Sequence, residues 1–282
     1  MTTVYLNDQL LPLAEARLSP LDRGFLYGDA VYEVIRCYGG VPFRLEGHMA
    51  RLAYSLGEMR IAASASALRE VPARLVAANR LGAGQALVYL QVSRGAPAVR
   101  QHAFPPPDVP PTVFGYAWAF APRPEWTTPG LTVILVPDVR WSRCDIKVTS
   151  LIPNAMGHQR ALEGGAHEAL FVRDGVVLEG TLSSLFAVVA GEVRTAPLSN
   201  YVLPSITRAA VLELCRDAGI PVREAPIFEH ELSRAEELFV ASTVHEIAPI
   251  RAVDGRALPV AQPVTRRLMG LLTELIARET RA

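Results

Sequence analysis

The chain has 282 residues, half of them apolar, and its 28 basic and 28 acidic side chains give a formal net charge of zero. This length allows one large domain or two ordinary ones, and the balanced charge argues against broad electrostatic binding of nucleic acid or anionic membranes. Three scattered cysteines without metal-ligand spacing, no signal-peptide pattern and no apolar run of membrane-spanning length predict a soluble, cytoplasmic protein without disulfides or a metal site.

The first 120 residues predict strands around two helices. A proline-rich stretch over 104–111 should be irregular, and 121–124, with two prolines between apolar runs, predicts a linker between two domains. The elements predicted before that linker are a hairpin over 3–13, strands over 30–38, 86–92 and 112–119, and helices over 45–56 and 67–80.

The second half also mixes strands and helices, without the regular alternation of a Rossmann sheet, so the fold class is predicted as α+β. Asp174-Gly175 is the strongest hairpin turn signal in the chain. The predicted elements are strands over 131–136 and 238–241, hairpins over 169–178 and 185–194, and helices over 153–163, 206–218 and 264–278.

Lys147 is the only lysine beside 27 arginines. Arginine stays protonated at any working pH, whereas a desolvated lysine can lose its proton and become a nucleophile. A sole lysine after an apolar strand fits amine chemistry as well as it fits a leftover surface residue. Two classes of enzyme use such an amine to form a Schiff base, namely pyridoxal phosphate enzymes and Schiff-base aldolases.

A phosphate-binding site is predicted where Ser205 begins a helix. The backbone N–H groups of Ile206 and Thr207 and the positive end of the helix dipole favour an anion there. Ser242-Thr243, after a strand, offers further donors, and Arg51, offset from the apolar stripe of its helix, could bind a phosphate bidentately. Each feature alone has an ordinary explanation as an N-cap or a surface arginine.

Two more positions could bind the remainder of such a cofactor and its substrate. Glu179 ends a buried strand, where a carboxylate is costly unless it is paired, and a protonated pyridine nitrogen is one such partner. Arg100 and His102 lie in a polar loop, where two cationic donors could bind a carboxylate. A solvated loop glutamate and an exposed loop are the alternatives.

Taken in order, these residues resemble the fold-type IV pyridoxal phosphate enzymes, a group that includes D-amino-acid aminotransferases, branched-chain aminotransferases and aminodeoxychorismate lyases. The resemblance covers about residues 4–255, and the stretches 140–147 and Arg100-Gln101-His102 are most similar to D-amino-acid aminotransferases. The other motifs that carry it are Asp22-Arg23-Gly24-Phe25, Tyr27-Gly28-Asp29, Tyr32-Glu33, His48, Arg51-Leu52, Lys147, Glu179-Gly180, Ile206-Thr207-Arg208 and Ser242-Thr243.

The resemblance implies a two-domain α+β fold with the active site at the domain interface, bound pyridoxal 5'-phosphate and a homodimer. We accordingly predict a small domain over 1–120, the linker over 121–124 and a large domain over 125–282 that carries the catalytic lysine. Lys147 is implied to form the Schiff base and to shuttle a proton. The other implied cofactor-binding residues are Arg51, Glu179, Leu203, Ile206, Thr207, Ser242 and Thr243.

Tyr32, Arg100 and His102 are implied to bind the substrate α-carboxylate, the last two reaching in from the partner subunit. The implied reaction transfers the amine of a D-amino acid such as D-alanine to a 2-oxo acid such as 2-oxoglutarate, so the partners are a small amino donor and a 2-oxo acid. Leu182, where the family has a polar residue, and a longer loop over 95–100 depart from the pattern and leave local contacts and substrate preference open.

Four alternatives stay open at this point. Three are related enzymes: an (R)-selective amine transaminase, a branched-chain aminotransferase and an aminodeoxychorismate lyase. The Arg-x-His pair argues against the lyase and the branched-chain enzyme, because it suits a free α-carboxylate. The fourth alternative is a non-enzymatic globular protein in which Lys147 is incidental.

Overall fold

A computed structural model describes residues 2–259 and 261–281, which form six α-helices, four short 3-10 helices and two β-sheets. The α-helices are α1 (Arg23–Tyr27), α2 (Leu45–Glu58), α3 (Val71–Ala78), α4 (Ile152–Glu163), α5 (Ile206–Asp217) and α6 (Pro263–Glu279). The 3-10 helices are Leu13–Glu15, Ser66–Leu68, Pro124–Trp126 and Glu229–Arg234. The strands are β1 (Thr3–Leu6), β2 (Gln9–Pro12), β3 (Ala30–Tyr38), β4 (Val41–Pro42), β5 (Gln85–Ser93), β6 (Thr112–Phe120), β7 (Leu131–Pro137), β8 (Glu168–Arg173), β9 (Val176–Gly180), β10 (Ser184–Val189), β11 (Glu192–Thr195), β12 (Val222–Glu224), β13 (Ile227–Phe228), β14 (Glu237–Ser242), β15 (Glu246–Val253) and β16 (Arg256–Ala257).

The described residues divide into two compact units. The first holds the chain up to Ala121, the segment 146–150 and the C-terminal residues from Arg278, and the second holds 122–145 and 151–277. The segment around Lys147 therefore belongs to the first unit, whereas the sequence-based boundaries include it in the large domain over 125–282. Residues 1 and 282, the outer ends of the predicted domains, lie outside the described residues.

Backbone pairing explains why the lysine segment belongs to the first unit. Val148 forms a β-bridge with Val31, and the Tyr32 N–H donates to the Lys147 carbonyl over 3.0 Å. This pairing uses the first half of β3, whereas β4 pairs only with its last two residues, Cys37 and Tyr38. A contact between positions more than a hundred residues apart leaves no local signal in the sequence.

The first unit contains an antiparallel sheet in the order β2-β1-β6-β5-β3-β4. Side chains alternate along β3, so Val31 and Ile35 point into a core that they share with apolar residues of α2 and α3. Glu33 has the same parity and faces α2, whereas Tyr32 lies on the opposite face. The alternation of β3 therefore places Glu33 and Tyr32 on opposite faces of the sheet.

The second unit contains a mixed sheet in the order β12-β11-β10-β14-β15-β7-β8-β9-β13, with β16 paired to β15. Parallel pairing joins β7 to β8 and to β15 and joins β11 to β12. The predicted hairpin turns are confirmed. Asp174 and Gly175 have φ values of 51° and 76°, and Ala190 and Gly191 have values of 50° and 73°, as a type I′ turn requires.

The α+β class is confirmed, but several elements differ from the sequence-based prediction. The helix predicted over 67–80 is a 3-10 turn followed by α3, which begins at Val71-Pro72 because proline is tolerated only in a first turn. The five-residue α1 is too short to show a periodicity. The buried β15 was missed because Pro249 interrupts its strand pattern. Within the described residues no helix combines the length and apolarity needed to cross a membrane.

Candidate active site

Lys147 is held by its backbone and lies against an aromatic ring. Its N–H donates to the Ser55 hydroxyl over 3.2 Å, and its carbonyl accepts the N–H of Tyr32. The amine nitrogen, Nζ, lies 4.3 Å from the centre of the Tyr32 ring, which itself stacks on Tyr89. Two predicted site residues, Lys147 and Tyr32, are therefore neighbours in the first unit.

Arg51 is not a surface arginine, because its guanidinium is bound bidentately to the fully buried Glu33. Arg51 Nε and Nη2 lie 2.8 and 2.7 Å from the two carboxylate oxygens, and His48 Nδ1 lies 2.7 Å from Oε2. Burial alone would raise the pKa of Glu33, but Arg51 and His48 hold it at about 2. A phosphate would have to use other N–H donors of Arg51, which has five in all.

Glu179 lies in β9 and is 5% exposed, so its carboxylate needs partners. Arg140 donates to Glu179 Oε1, and the Leu203 N–H donates to Oε2 over 3.1 Å. Asp138 accepts from the Nε of Arg140 over 2.9 Å and fixes its position. Burial raises the pKa of Glu179, and the Arg140 guanidinium opposes that shift by favouring the charged form.

The pKa of Arg140 is raised as well. Burial acts against the charged guanidinium, but the hydrogen bond to Asp138 and the charge of Glu179 outweigh it. This guanidinium is the strongest partner of Glu179, and the sequence had shown Arg140 only as part of a longer resemblance. Burial and the Arg140 guanidinium therefore act in opposite directions on the proton affinity of Glu179.

The start of α5 is the predicted anion site, and its geometry is that of a capped helix. The Ser205 hydroxyl accepts the Arg208 N–H over 3.2 Å. The first N–H groups of the helix, those of Ile206 and Thr207, have no intrahelical partner by construction. Because Leu203 binds Glu179 and α5 begins three residues later, the Glu179 carboxylate and the start of α5 are close together in the second unit.

Glu168 was not predicted as a site residue, although it organises the turn that follows Glu179. It is fully buried at the start of β8, and its Oε1 accepts the Leu182 N–H over 2.8 Å and the Ser183 hydroxyl over 2.9 Å. A Cβ at Gly180 would lie 2.3 Å from the same oxygen, so the glycine leaves room for this carboxyl. Burial raises the pKa of Glu168 to about 7.

This arrangement explains the departure at Leu182. Its side chain is exposed, and the backbone N–H makes the contact to Glu168. The turn therefore keeps its anchor although the side chain is apolar. The buried hydroxyl side chains of this turn are Thr181, Ser183 and Ser184.

Arg100 and His102 are exposed and pack around one tyrosine of α1. The guanidinium carbon of Arg100 lies 4.8 Å from the centre of the Tyr27 ring, and the His102 ring lies 5.8 Å from it. Tyr32, the third predicted carboxylate ligand, instead contacts Lys147 and Tyr89. The described contacts thus bring Arg100 and His102 together around a different ring from Tyr32.

The remaining predicted residues lie at the end of β14. Ser242 is buried, and its hydroxyl accepts the His245 N–H over 3.0 Å, which fixes the turn that contains Thr243. No group of three or more His, Cys, Asp or Glu side chains in the described part of the chain has an arrangement that could hold a metal ion.

The sequence of this chain is similar to a known protein family and to relatives with known names. A family model described as Amino-transferase class IV matches residues 30–253. A D-alanine aminotransferase of Bacillus licheniformis is 36% identical over 281 residues, which is 98% of this chain and 98% of the relative. A D-alanine aminotransferase of Staphylococcus aureus (strain N315) is 34% identical over 272 residues, which is 95% of each chain.

Solved structures match over the same extent. The branched-chain aminotransferase of Thermoproteus uzoniensis with norvaline gives a TM-score of 0.88 at 27% identity, covering 99% of this chain and 95% of that one. The branched-chain aminotransferase of Escherichia coli gives 0.87 at 26% identity, with coverage of 99% and 96%. A further branched-chain amino acid aminotransferase, bound to pyridoxamine 5'-phosphate, gives 0.87 at 28% identity, with coverage of 99% and 95%. The family model and the curated relatives span most of the sequence, and the chain therefore belongs to the class IV aminotransferases.

Proposed function

We propose that this aminotransferase uses pyridoxal 5'-phosphate to transfer the amine of a D-amino acid, D-alanine above others, to a 2-oxo acid such as 2-oxoglutarate. The curated relatives named D-alanine aminotransferase support the substrate, since they are 34% and 36% identical over nearly the whole chain. A related branched-chain aminotransferase structure that carries pyridoxamine 5'-phosphate supports the cofactor.

The observation that supports the cofactor most directly is the pairing of Glu179 with the segment that begins α5. A phosphorylated pyridine needs a carboxylate for its ring nitrogen and N–H donors for its phosphate. Glu179 is buried with Arg140 behind it, and the N–H groups of Ile206 and Thr207 follow Leu203 along the chain. The donor set of this chain thus fits the two ends of that molecule.

Each proposed cofactor residue has one task. Lys147 would hold the cofactor through its amine, and the same Nζ, released when the substrate amine takes its place, would accept the proton from the substrate α-carbon. Glu179 would pair with the protonated ring nitrogen, and Leu203 would contact the ring. When bound, the cofactor supplies an electron sink for the charge that develops on the substrate α-carbon. The proposed phosphate contacts are Arg51, Ile206, Thr207, Ser242 and Thr243.

Tyr32, Arg100 and His102 are the proposed ligands of the substrate α-carboxylate. Two side chains with N–H donors and a hydroxyl suit a carboxylate, and exposure on this chain suits delivery of Arg100 and His102 to the site of a partner subunit. The homodimer is thus part of the proposal. A cytoplasmic location stays a prediction.

A branched-chain aminotransferase is the second candidate, because the three solved structures compared above bear that name. Their identities of 26% to 28% are lower than those of the relatives named D-alanine aminotransferase. The pair formed by Arg100 and His102 also favours a D-amino-acid donor. We therefore rank this candidate below the first.

The cofactor part of the proposal is tested by absorption spectroscopy. Purified protein incubated with pyridoxal 5'-phosphate should show a visible absorption band that survives gel filtration. Lys147→Arg, which keeps the positive charge but cannot form the covalent link, should lose that band. Arg17→Gln, a control at an exposed arginine, should retain it. A wild-type protein that stays colourless after incubation would contradict the proposal, and so would a Lys147→Arg protein with an unchanged spectrum.

A further inference from the structure

Three charged side chains form a buried cluster in the first unit, next to the start of β3. Asp29 Oδ2 accepts from Arg23 Nε over 2.7 Å and from Arg94 Nε over 2.8 Å, and Oδ1 accepts from Arg94 Nη2 over 2.9 Å. The three side chains are less than a tenth exposed. Burial alone would raise the pKa of Asp29, but the hydrogen bonds from Arg94 and Arg23 hold it below its ordinary value.

The cluster contains two guanidinium groups and one carboxylate, so a positive charge is left over. Buried charge is costly unless hydrogen bonds compensate it, and here backbone carbonyls do so. Arg94 donates to the carbonyls of Met59 over 2.7 Å and Arg60 over 2.9 Å, within the first unit. The corresponding carbonyl partners of Arg23 lie in the loop that contains Arg100 and His102.

Arg23 binds three consecutive carbonyls of that loop. Its Nη1 donates to Gln101 O over 2.7 Å and to Ala103 O over 3.2 Å, and its Nη2 lies 3.5 Å from His102 O. A guanidinium is planar and its N–H donors point in fixed directions. Because Asp29 binds the Nε of Arg23, the directions of its Nη1 and Nη2 donors toward the loop carbonyls are set as well. The loop cannot move without leaving a buried N–H donor without an acceptor.

The same residue anchors the beginning of the loop and the side chains on it. The backbone N–H of Arg23 donates to Gly95 O over 2.9 Å. The guanidinium carbons of Arg23 and Arg100 lie 4.7 and 4.8 Å from the centre of the Tyr27 ring, and the centre of the His102 ring lies 5.8 Å from it. Arg23 therefore fixes both ends of the loop and, through Tyr27, the side chains of Arg100 and His102.

We infer that Arg23 is a positioning residue for substrate binding, which holds the loop over 95–103 so that Arg100 and His102 together present their donors to the substrate α-carboxylate. The inference rests on the proposed function for what the loop binds, while the anchoring itself rests on the contacts of Arg23. Through Arg23, the motif Asp22-Arg23-Gly24 thus holds the loop over 95–103, which no residue of the proposed cofactor site does.

The test compares Arg23→Gln and Arg23→Lys with the wild type in the cofactor-loaded enzyme. Arg17→Gln is a matched control, because Arg17 also donates to two backbone carbonyls, those of Ala14 and Ala16, but does so on the exposed surface. Lysine keeps a charge beside Asp29 yet cannot reach both the carboxylate and the loop, so Arg23→Lys carries the test if Arg23→Gln does not fold.

Two quantities should change together. Deuterium exchange of a peptide over 97–104 should rise in both Arg23 variants, by about tenfold or more in rate, while a peptide over 131–137 stays unchanged. KM for D-alanine and for 2-oxoglutarate should rise by about tenfold or more, with kcat within about threefold of the wild type. The visible absorption band of the bound cofactor should be unaltered, since Arg23 is not placed at the cofactor.

Other outcomes overturn the inference in distinguishable ways. Unchanged exchange over 97–104 would show that Arg23 does not hold the loop. Faster exchange with unchanged KM would show that the loop is held but does not serve the carboxylate. A fall in kcat with loss of the visible band would assign Arg23 to general stability instead. If the wild type itself fails to use D-alanine, the proposed function fails, and the exchange comparison still decides the anchoring.

Discussion

Glu168 should make the protein less stable as the pH rises from about 4.5 to about 7. The side chain is fully buried, and its pKa is raised to about 7 from an ordinary value of 4.5. In this range the folded protein keeps the proton that the unfolded chain releases, so the free energy of unfolding falls with rising pH. At 1.36 kcal/mol per pH unit, the difference corresponds to about 3 kcal/mol for this one group.

Glu168→Gln removes the titration while the amide oxygen can still accept from the Leu182 N–H and the Ser183 hydroxyl. We expect the free energy of unfolding of the wild type to drop between pH 5 and pH 8 by about 2–3 kcal/mol more than that of the variant. Urea denaturation of both proteins at equal cofactor loading measures this difference. Glu15→Gln, which removes an exposed carboxylate, controls for the change in net charge.

Parallel stability curves for the wild type and Glu168→Gln would refute this reasoning, because they would mean that Glu168 carries the same charge in the folded and unfolded chains. If the variant curve is parallel to the wild-type curve but lower at every pH, the carboxyl contributes only hydrogen bonds to the turn after Glu179.

Three further predictions concern the site itself. Glu179→Gln should retain the bound cofactor but slow the half-reaction by about 10²–10³-fold in single-turnover measurements, since an amide cannot keep the ring nitrogen protonated. Arg100→Ala should raise KM for D-alanine by roughly 10–100-fold in steady-state assays and leave the cofactor spectrum unchanged, because a charge-assisted hydrogen bond is lost. Glu33→Gln should lower the free energy of unfolding by about 3–5 kcal/mol in urea denaturation, because the buried Arg51 beside His48 loses its counter-charge.

Local sequence patterns predicted many of the turns and helix ends of the fold. Asp174-Gly175 predicted its turn because aspartate and glycine tolerate the positive φ that the turn requires. Ser205 predicted the start of α5 because its hydroxyl accepts a backbone N–H. The buried β15, in contrast, was not predicted, because it contains Pro249 and proline normally marks the end or the edge of a strand.

The sequence suggests a set of site residues, but it does not show the contacts that these residues make. Arg51 had two explanations in the sequence, and only the structure shows its bidentate pairing with Glu33 across 18 positions. Arg23 binds carbonyls 78–80 positions away, and carbonyls leave no residue-specific signal. The contacts of Glu168 also leave no residue-specific signal in the sequence, because its partners are a backbone N–H and a hydroxyl side chain.

In the proposed reaction, Lys147 serves a D-amino-acid donor. Stopped-flow mixing of the cofactor-loaded enzyme with D-alanine, L-leucine or (R)-1-phenylethylamine, in the absence of an acceptor, measures how fast each donor removes the visible absorption band. D-Alanine should remove it fastest. Faster loss with L-leucine would contradict the account in favour of a branched-chain aminotransferase, and faster loss with the amine would contradict it in favour of an (R)-selective amine transaminase.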